Sequence, residues 1–216
     1  MEQGGWVMWP LLVMSLASLA MTFERLLFWA TTNRAGRRRW IVTLADLFRS
    51  GNREGVRSAI RGDSSVYARA AGGLLDKGAS DAAMIETVET VRPAIERFSA
   101  AQSTVITAAP LLGILGTVTG IIQSFSLLSD GVSERVTDPS LVAGGVAEAL
   151  ITTAFGMVVA ILALIPYAIF RAKADRCFGQ LEVIAAAAQQ GSGAATSQAE
   201  SVARERTESS RVAVAN

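Results

Sequence analysis

The chain has 216 residues, of which 50% are hydrophobic and 18% are charged, and its formal net charge is +1. This balance gives no basic field of the kind that nucleic-acid-binding domains use. The absence of histidine excludes histidine bases, histidine metal ligands and histidine proton relays. The single cysteine, Cys177, excludes an intrachain disulfide and is interpreted as a bystander thiol. The sequence contains no recognisable nucleophile–base pair, metal cluster or phosphate loop, so we expect no enzyme activity, cofactor or metal.

Three segments are apolar and long enough to cross a bilayer, which requires about 20 mostly apolar residues. The first covers 4–23, the second lies within 98–129, and the third covers 140–170. Trp6 and Trp9 at the start of the first segment are typical of membrane-interface anchors. The start of the chain carries no basic residue, which disfavours a cleaved signal peptide. The sequence therefore predicts an all-α membrane protein with three transmembrane helices and long cytoplasmic helical extensions.

Basic residues set the expected orientation of the chain. Clusters of arginine and lysine follow the first and the third span, and such clusters stay on the cytoplasmic side. We therefore expect a periplasmic amino terminus and a cytoplasmic carboxyl terminus. The basic residues are Arg34, Arg37, Arg38 and Arg39 after the first span, and Arg171, Lys173 and Arg176 after the third.

Residues 34–97 form the one sizeable soluble segment, and apolar residues at helical spacing predict that it is a series of helices. The turn signal at 50–52 ends the first of these helices, and Ser80 is the predicted N-cap of the last. A segment of about 60 residues makes a poor independent core. We therefore expect it to pack against cytoplasmic extensions of the spans.

Two expectations concern the ends of the long helices. The last helix of the soluble segment is predicted to continue into the second span, with kinks near Pro93 and Pro110. The third span is predicted to continue as a helix to 190, and the composition from Gly191 onward predicts disorder. The predicted order is a first span (1–29), a cytoplasmic helical segment (30–100), a second span (101–130), a periplasmic loop (131–139), a third span (140–170), a cytoplasmic extension (171–190) and a disordered tail (191–216).

Small and polar residues form one helical face on each of the second and third spans. Small faces let membrane helices approach closely, and hydroxyls can bond across them or line a wet cavity. We interpret the glycines as packing positions of pore helices. For the threonines alone, packing and pore remain equally open, because a threonine in a membrane helix often bonds its own backbone. The residues are Gly113, Gly116, Thr117, Gly120 and Ser124 on the second span, and Gly145, Glu148, Thr152, Thr153 and Gly156 on the third.

Glu148 is the only charged residue between Asp138 and Arg171. A charge at membrane depth costs about 2.5–3.5 kcal/mol on insertion scales, and a carboxylate needs a wet or polar neighbourhood. At ~1.5 Å per residue, Glu148 lies roughly 12 Å from the outer end of its span, so the inner half has no titratable group. The sequence thus predicts a second carboxylate from another subunit. The favoured function is a conduit for a proton or small cation, lined by Thr117, Glu148, Thr152 and Thr153.

Two motifs resemble those of a known family. One is the stretch 109–118, Ala-Pro-Leu-Leu-Gly-Ile-Leu-Gly-Thr-Val, and the other is Ala-Glu-Ala-Leu at 147–150 followed by Thr-Ala-Phe-Gly at 153–156. From 110 to 167 the chain resembles the ExbB/TolQ/MotA proton-channel family. Its three predicted spans resemble the ExbB/TolQ branch, whereas the MotA branch has four. Glu24-Arg25 at the end of the first span is also similar to the family.

The resemblance implies a homopentameric ring in the bacterial inner membrane, with the second and third spans around a pore. It implies an ExbD/TolR-like dimer of single-span partners inside the pore, each with an intramembrane aspartate, and a TonB/TolA-like protein beyond them. Proton flow would drive motion of the partner. By matching position, Thr117 and Thr153 would face that aspartate, and Glu148 would be the family's third-span glutamate.

The sequence leaves several alternatives open. Thr119 stands where many ExbB-like chains have an aromatic residue, and Thr152 stands where a small apolar residue is common, so either a wetter pore or altered partner packing is possible. The envelope process, the partner's identity and the choice between H⁺ and Na⁺ are also open. Two other functions are a non-conducting anchor for an envelope-spanning partner and a small-solute transporter, although no inverted repeat is seen.

Overall fold

The computed structural model describes residues 6–32, 36–130 and 139–214. It describes the side-chain surroundings of these residues except at 127–130, 139–142 and 194–214. The described residues contain helices and turns and no strand, which confirms the all-α prediction. The predicted periplasmic loop at 131–139 lies outside the described residues except for Pro139. The helices are α1 (Met8–Thr32), α2 (Arg37–Arg49), α3 (Arg53–Ile60), α4 (Val66–Lys77), α5 (Asp81–Ile95), α6 (Ser99–Asp130) and α7 (Pro139–Val214).

Within the part of the chain that the structure describes, three helices are long and apolar enough to cross a membrane, which confirms the three predicted spans. The candidate segments are Met8–Thr32 in α1, Ser99–Ser126 in α6 and Ala143–Gly193 in α7. Helix α1 ends at Thr32, past the predicted bound at 29, and so continues beyond the apolar segment that ends at 23. Just after residue 23, Glu24 and Arg25 form an ion pair with each other, so neither charge in this part of the helix is isolated.

The chain divides into two compact units. The first unit comprises the described residues of Met1–Phe28 and Arg97–Ala172, and so contains most of α1, all of α6 and the first part of α7. Its apolar core uses small residues on α6 and α7 against larger ones on α1, which lets the helices approach closely. The core residues are Val7, Leu11, Val105, Ala109, Val159, Ala160 and Ala163.

Polar contacts also join α1 to the second span inside this unit. Gln102 is 2% exposed, and its amide donates to the hydroxyl of Thr22 at 2.8 Å. This bond satisfies an amide group that would otherwise be costly to bury in an apolar region. It fixes the register between α1 and α6.

A charged cluster lies near the end of the first span. Arg25 is only 3% exposed, and its guanidinium donates to both carboxylate oxygens of Glu24, at 2.7 and 3.2 Å. The same guanidinium lies 4.5 Å from the centre of the Phe28 ring, and Arg97 lies 3.5 Å from Glu24. A buried cation requires a counter-ion and hydrogen bonds, and the aromatic face adds a further favourable contact.

The second unit comprises the described residues of Trp29–Glu96 and Lys173–Asn216. In it, α3 packs against α2 and α4, and α4 packs against α5. Asn52, Ser65 and Ser80 cap α3, α4 and α5 by accepting from the backbone N–H three residues later, at 2.8, 3.3 and 3.3 Å. The N-cap predicted at Ser80 is therefore confirmed.

The soluble segment packs against the later part of α7, as the sequence predicts. The Tyr67 hydroxyl donates to Gln180 at 2.5 Å, and the Gln189 amide donates to Asp81 at 2.9 Å. Burial raises the pKa of Tyr67, so this hydroxyl stays a donor at all ordinary pH values. These contacts hold the segment against α7, as expected for a segment that is too short to form a core by itself.

The predicted continuation of α5 into α6 is wrong. Pro93 lies inside α5, which ends at Ile95, and α6 begins at Ser99. Between them Phe98 adopts the left-handed region, with φ 64°. That conformation costs an L-residue about 1–2 kcal/mol. The Phe98 ring lies 4.8 Å from the guanidinium of Arg97, and this cation–π contact offsets part of the cost.

The carboxyl-terminal part of the chain also differs from expectation. Helix α7 continues to Val214, whereas composition predicted disorder from 191. The segment is rich in Ala, Gln, Glu and Arg, which have high helix propensity. Extending an existing helix avoids the unfavourable nucleation step, so composition alone underestimates helix formation here.

Candidate functional site

Helices α6 and α7 meet through residues without large side chains. A Cβ on Gly113 would lie 3.0 Å from Cα of Thr153, and a Cβ on Gly156 would lie 2.6 Å from the carbonyl oxygen of Ala109. A Cβ on Gly116 would meet the side chain of Thr152. At Gly113 and Gly156 the two backbones are too close for a side chain to fit without a shift, whereas at Gly116 the close neighbour is the Thr152 side chain. The packing face proposed from the sequence is thus directed at α7 of the same chain.

The contact continues towards the beginning of α7 with Gly120, Ser124, Gly145 and Ala149. A Cβ on Gly120 would lie 2.8 Å from Cβ of Ala149, and one on Gly145 would meet the hydroxyl of Ser124. Ser124 is buried, and its hydroxyl donates to the carbonyl of Gly120 at 2.8 Å. A hydroxyl that bonds its own helix is common in membrane helices, so Ser124 belongs to the packing contact.

Thr117 and Thr153 come together across this contact. Their hydroxyl oxygens are 2.5 Å apart, and either can be the donor. Thr153 Oγ1 also lies 2.7 Å from the carbonyl oxygen of Gly113, and Thr117 Oγ1 lies 3.2 Å from the same oxygen. Both side chains are half-buried. Two hydroxyls and one carbonyl oxygen therefore form a polar group between the two helices.

Thr152 has a different environment from its neighbour Thr153. It is 1% exposed, its hydroxyl donates to the carbonyl of Glu148 at 3.1 Å, and its methyl group faces Gly116. The structure therefore places Thr152 inside the helix contact and away from the surface of the chain. This position favours a packing role over the pore-lining role expected from the sequence.

Glu148 lies on the same helix, further towards its beginning. The side chain is half-buried. It precedes Thr153 by a little over one helical turn, about 7–8 Å along the axis. The structure thus brings Thr117 and Thr153 together, whereas Glu148 lies apart from them, nearer the beginning of α7.

Thr119 bonds its own helix. Its hydroxyl lies 3.0 Å from the carbonyl oxygens of both Leu115 and Gly116. A threonine with its hydroxyl satisfied in this way presents mainly its methyl group to neighbours. Threonine at 119, where many ExbB-like chains have an aromatic residue, therefore does not by itself make the surface of α6 more hydrated.

Sequence reasoning missed the carbonyl of Gly113 and the pair of Gln102 and Thr22. A signal for the pair existed, since Gln102 is an amide near the start of an uncharged span and requires a partner when buried. Nothing in the sequence marks one backbone carbonyl among many. Among the described residues, no group of three or more His, Cys, Asp or Glu side chains is arranged to hold a metal.

Residues 57–183 match the MotA/TolQ/ExbB proton channel family. The chain belongs to this family. The match includes α6 and the part of α7 that carries Glu148, Thr152 and Thr153. Membership assigns the chain to membrane proton channels of the ExbB/TolQ type, which lie in the inner membrane, and this agrees with its three apolar helices.

Individual relatives give the same assignment. The ExbB-like 3 biopolymer transport protein of Synechocystis sp. is 34% identical over 197 residues, which cover 84% of this chain and 91% of the relative. The biopolymer transport protein ExbB of Pseudomonas putida is 42% identical over 69 residues, covering 32% of this chain and 20% of the relative. The Tol-Pal system protein TolQ of Pseudomonas aeruginosa is 40% identical over 78 residues, covering 36% and 32%.

Proposed function

We propose that this chain is the proton-conducting ring subunit of an inner-membrane motor. In this proposal the proton motive force drives an ExbD/TolR-like single-span partner, which energises an envelope process of the TonB or Tol type. The observation that carries the proposal is the Thr117–Thr153–Gly113 group, a polar cluster held between two mostly apolar spans. The names of the relatives, biopolymer transport proteins and Tol-Pal system proteins, support the class of process.

The proposed assembly is a homopentamer with α6 and α7 around the pore and the amino terminus in the periplasm. The glycine face of α6 is already occupied by α7 of the same chain. Neighbouring copies and lipid would therefore use the other faces of α6, and the partner would approach the edge of the α6–α7 contact, where Thr117 and Thr153 are half-buried. Those faces are apolar and exposed in the single chain, as contacts with lipid or other subunits require. The exposed residues on α6 are Leu111, Ile114, Leu115, Val118, Ile121, Ile122 and Phe125.

The proposed proton path has two stations. Glu148 keeps the outer half of the pore hydrated and electronegative, because a carboxylate at membrane depth holds water around itself. Deeper along α7, Thr117 and Thr153 meet an intramembrane aspartate supplied by the partner. A path across about 30 Å of hydrocarbon needs more than one titratable group, and Glu148 is the only carboxylate that this chain provides between 139 and 170.

Thr152 has another role in this proposal. Its burial against Gly116 makes it part of the α6–α7 contact, together with Gly113, Gly120, Gly145 and Gly156. Close packing of these residues holds Thr117 and Thr153 at bonding distance. The packing and pore interpretations of the small and polar faces are therefore complementary.

Native mass spectrometry of the complex, purified in mild detergent from its host, tests the assembly. We expect a ring of five copies with two single-span proteins, each carrying an aspartate in its membrane helix. The outer domain of those proteins would then identify the driven process. A monomer or dimer without such a companion would contradict the proposal.

A further inference from the structure

The hydrogen atoms of the threonine pair can be counted. Thr117 and Thr153 each have one hydroxyl proton. Three short contacts join their oxygens and the Gly113 carbonyl oxygen, at 2.5, 2.7 and 3.2 Å. Neither hydroxyl has another hydrogen-bond acceptor among the described residues. Both protons are therefore used within the group, whichever of the contacts they occupy.

The capacity of the carbonyl selects one arrangement. The Gly113 carbonyl lies within α6, where the backbone N–H of Thr117 is its helical donor. A carbonyl oxygen has two lone pairs, so it accepts one further proton, and the shorter contact is with Thr153. Thr117 then donates to Thr153, and Thr153 donates to Gly113. The oxygen of Thr117 keeps both of its lone pairs free.

The exposed side of the group therefore offers only acceptors. Thr117 and Thr153 are half-buried, so part of each side chain remains open to a ligand. A neutral carboxylic acid has an O–H to donate to such a surface, whereas an ionised carboxylate has only lone pairs. Lone pairs facing a carboxylate would be repelled, and a hydroxyl could donate to it only by giving up its bond within the group.

We propose that Thr117, Thr153 and the Gly113 carbonyl form an acceptor-only site that binds the neutral form of a carboxylic acid in preference to its carboxylate. This inference rests on the proposed function for the source of the acid, the partner's intramembrane aspartate. The site holds the acid while it carries the proton and releases it when the proton leaves. Gly113 acts as a positioning residue for two reasons. Its carbonyl accepts the proton of Thr153, whose oxygen in turn accepts the proton of Thr117, and its missing side chain permits the contact.

Infrared spectroscopy of the reconstituted complex tests this preference. The partner carries ¹³C-labelled aspartate, so that its neutral-acid carbonyl band is distinguished from Glu148. The double variant Thr117→Val/Thr153→Val removes both hydroxyls with little change of shape. At fixed pH we expect its neutral-acid fraction to fall about three- to tenfold, the equivalent of one hydrogen bond.

Two matched variants accompany this measurement. Thr117→Ser/Thr153→Ser keeps the hydroxyls, and we expect the wild-type band. Thr119→Val makes the same replacement of a hydroxyl by a methyl group on α6, at a position whose hydroxyl bonds its own helix. We expect the wild-type band in this variant too. An unchanged or stronger band in the valine double variant would overturn the inference, as would an equal fall in Thr119→Val.

Proton flux measured in the same vesicles separates this inference from the proposed function. Flux in the wild-type complex together with an unchanged band in the valine double variant overturns only the acceptor-only site. Absence of flux in the wild type overturns the proposed function, and the band still reports which form of the acid the site prefers.

Discussion

Gly156 and Ala109 meet backbone to backbone, so that a Cβ on Gly156 would lie 2.6 Å from the carbonyl oxygen of Ala109 and 3.2 Å from Cα of Gly113. The neighbours are main-chain atoms, which cannot rotate away. Gly156→Ala should therefore push α6 and α7 apart and destabilise the protein by about 1–3 kcal/mol, as overpacking does elsewhere. A lower midpoint of thermal unfolding in detergent would show this.

Gly144→Ala is the matched control for that substitution. Gly144 is exposed on the same helix, and a Cβ there would have no neighbour within 4 Å. Alanine also has a higher helix propensity than glycine by about 1 kcal/mol. We expect an unchanged or raised unfolding temperature. Equal loss of stability in the two variants would mean that the α6–α7 contact does not have the described geometry.

The bond from Gln102 to Thr22 predicts an energetic coupling between α1 and α6. In a double-mutant cycle with Gln102→Leu and Thr22→Val, we expect a coupling of about 0.6 kcal/mol and at most about 1.7 kcal/mol, as for other hydrogen bonds between membrane helices. Unfolding of the purified protein in mixed micelles measures it. Strictly additive effects of the two substitutions would contradict the contact at 2.8 Å.

Asp63 predicts an acid-dependent contribution to stability in the second unit. Burial favours a raised pKa for this carboxyl group, but hydrogen bonds from the Arg37 side chain and from Ser65 outweigh it and lower the pKa below its ordinary value. The stabilisation is therefore complete above the unfolded-state pKa of about 4 and is lost as the pH falls through the lower folded-state pKa. Asp63→Asn should be less stable at neutral pH and should lose less stability on acidification.

Asp46→Asn is the control for the acid prediction. Asp46 forms an exposed ion pair with Arg49 one helical turn away, and such pairs contribute little. Melting temperatures of the wild type and both variants across acid and neutral pH provide the comparison. If Asp63→Asn lost as much stability on acidification as the wild type, the pairing of Asp63 with Arg37 would not be the cause.

Glu148→Gln tests the outer station of the proposed path. The amide keeps the size and most of the polarity of the side chain but removes its charge, so the pore should become less attractive to protons. We expect the ring to persist and proton flux to fall several-fold. Glu182→Gln, an exposed position later in α7, serves as the control. Unchanged flux in Glu148→Gln would remove this residue from the path.

The spacing of residues predicted the face of α6 that packs closely. The small and polar face of α6 follows from helical periodicity, and it is the face that meets α7. Periodicity could not say whether the partner of that face belongs to the same chain or to another. Thr152 and Thr153 are adjacent, and only the rotation of α7 decides that Thr152 is buried while Thr153 meets Thr117.

The fold was predictable where local signals agree with tertiary structure. The cap at Ser80 follows from the short-range bonding of its hydroxyl. The interruption between Ile95 and Ser99 was not predictable, because Phe98 adopts an unfavourable conformation that its contacts with Arg97 and Arg25 offset. The contact with Arg25 depends on the assembled first unit, and no local pattern contains it.

Proton flux through the reconstituted complex of ring and partner tests the central claim most directly. Vesicles with an imposed proton gradient and a pH-sensitive dye inside would compare the wild type with Thr117→Val and Thr153→Val, using native mass spectrometry to verify that the ring is intact. The account predicts flux in the wild type and its loss in both variants, with assembly preserved. Wild-type flux in either intact variant would contradict a proton path through this pair.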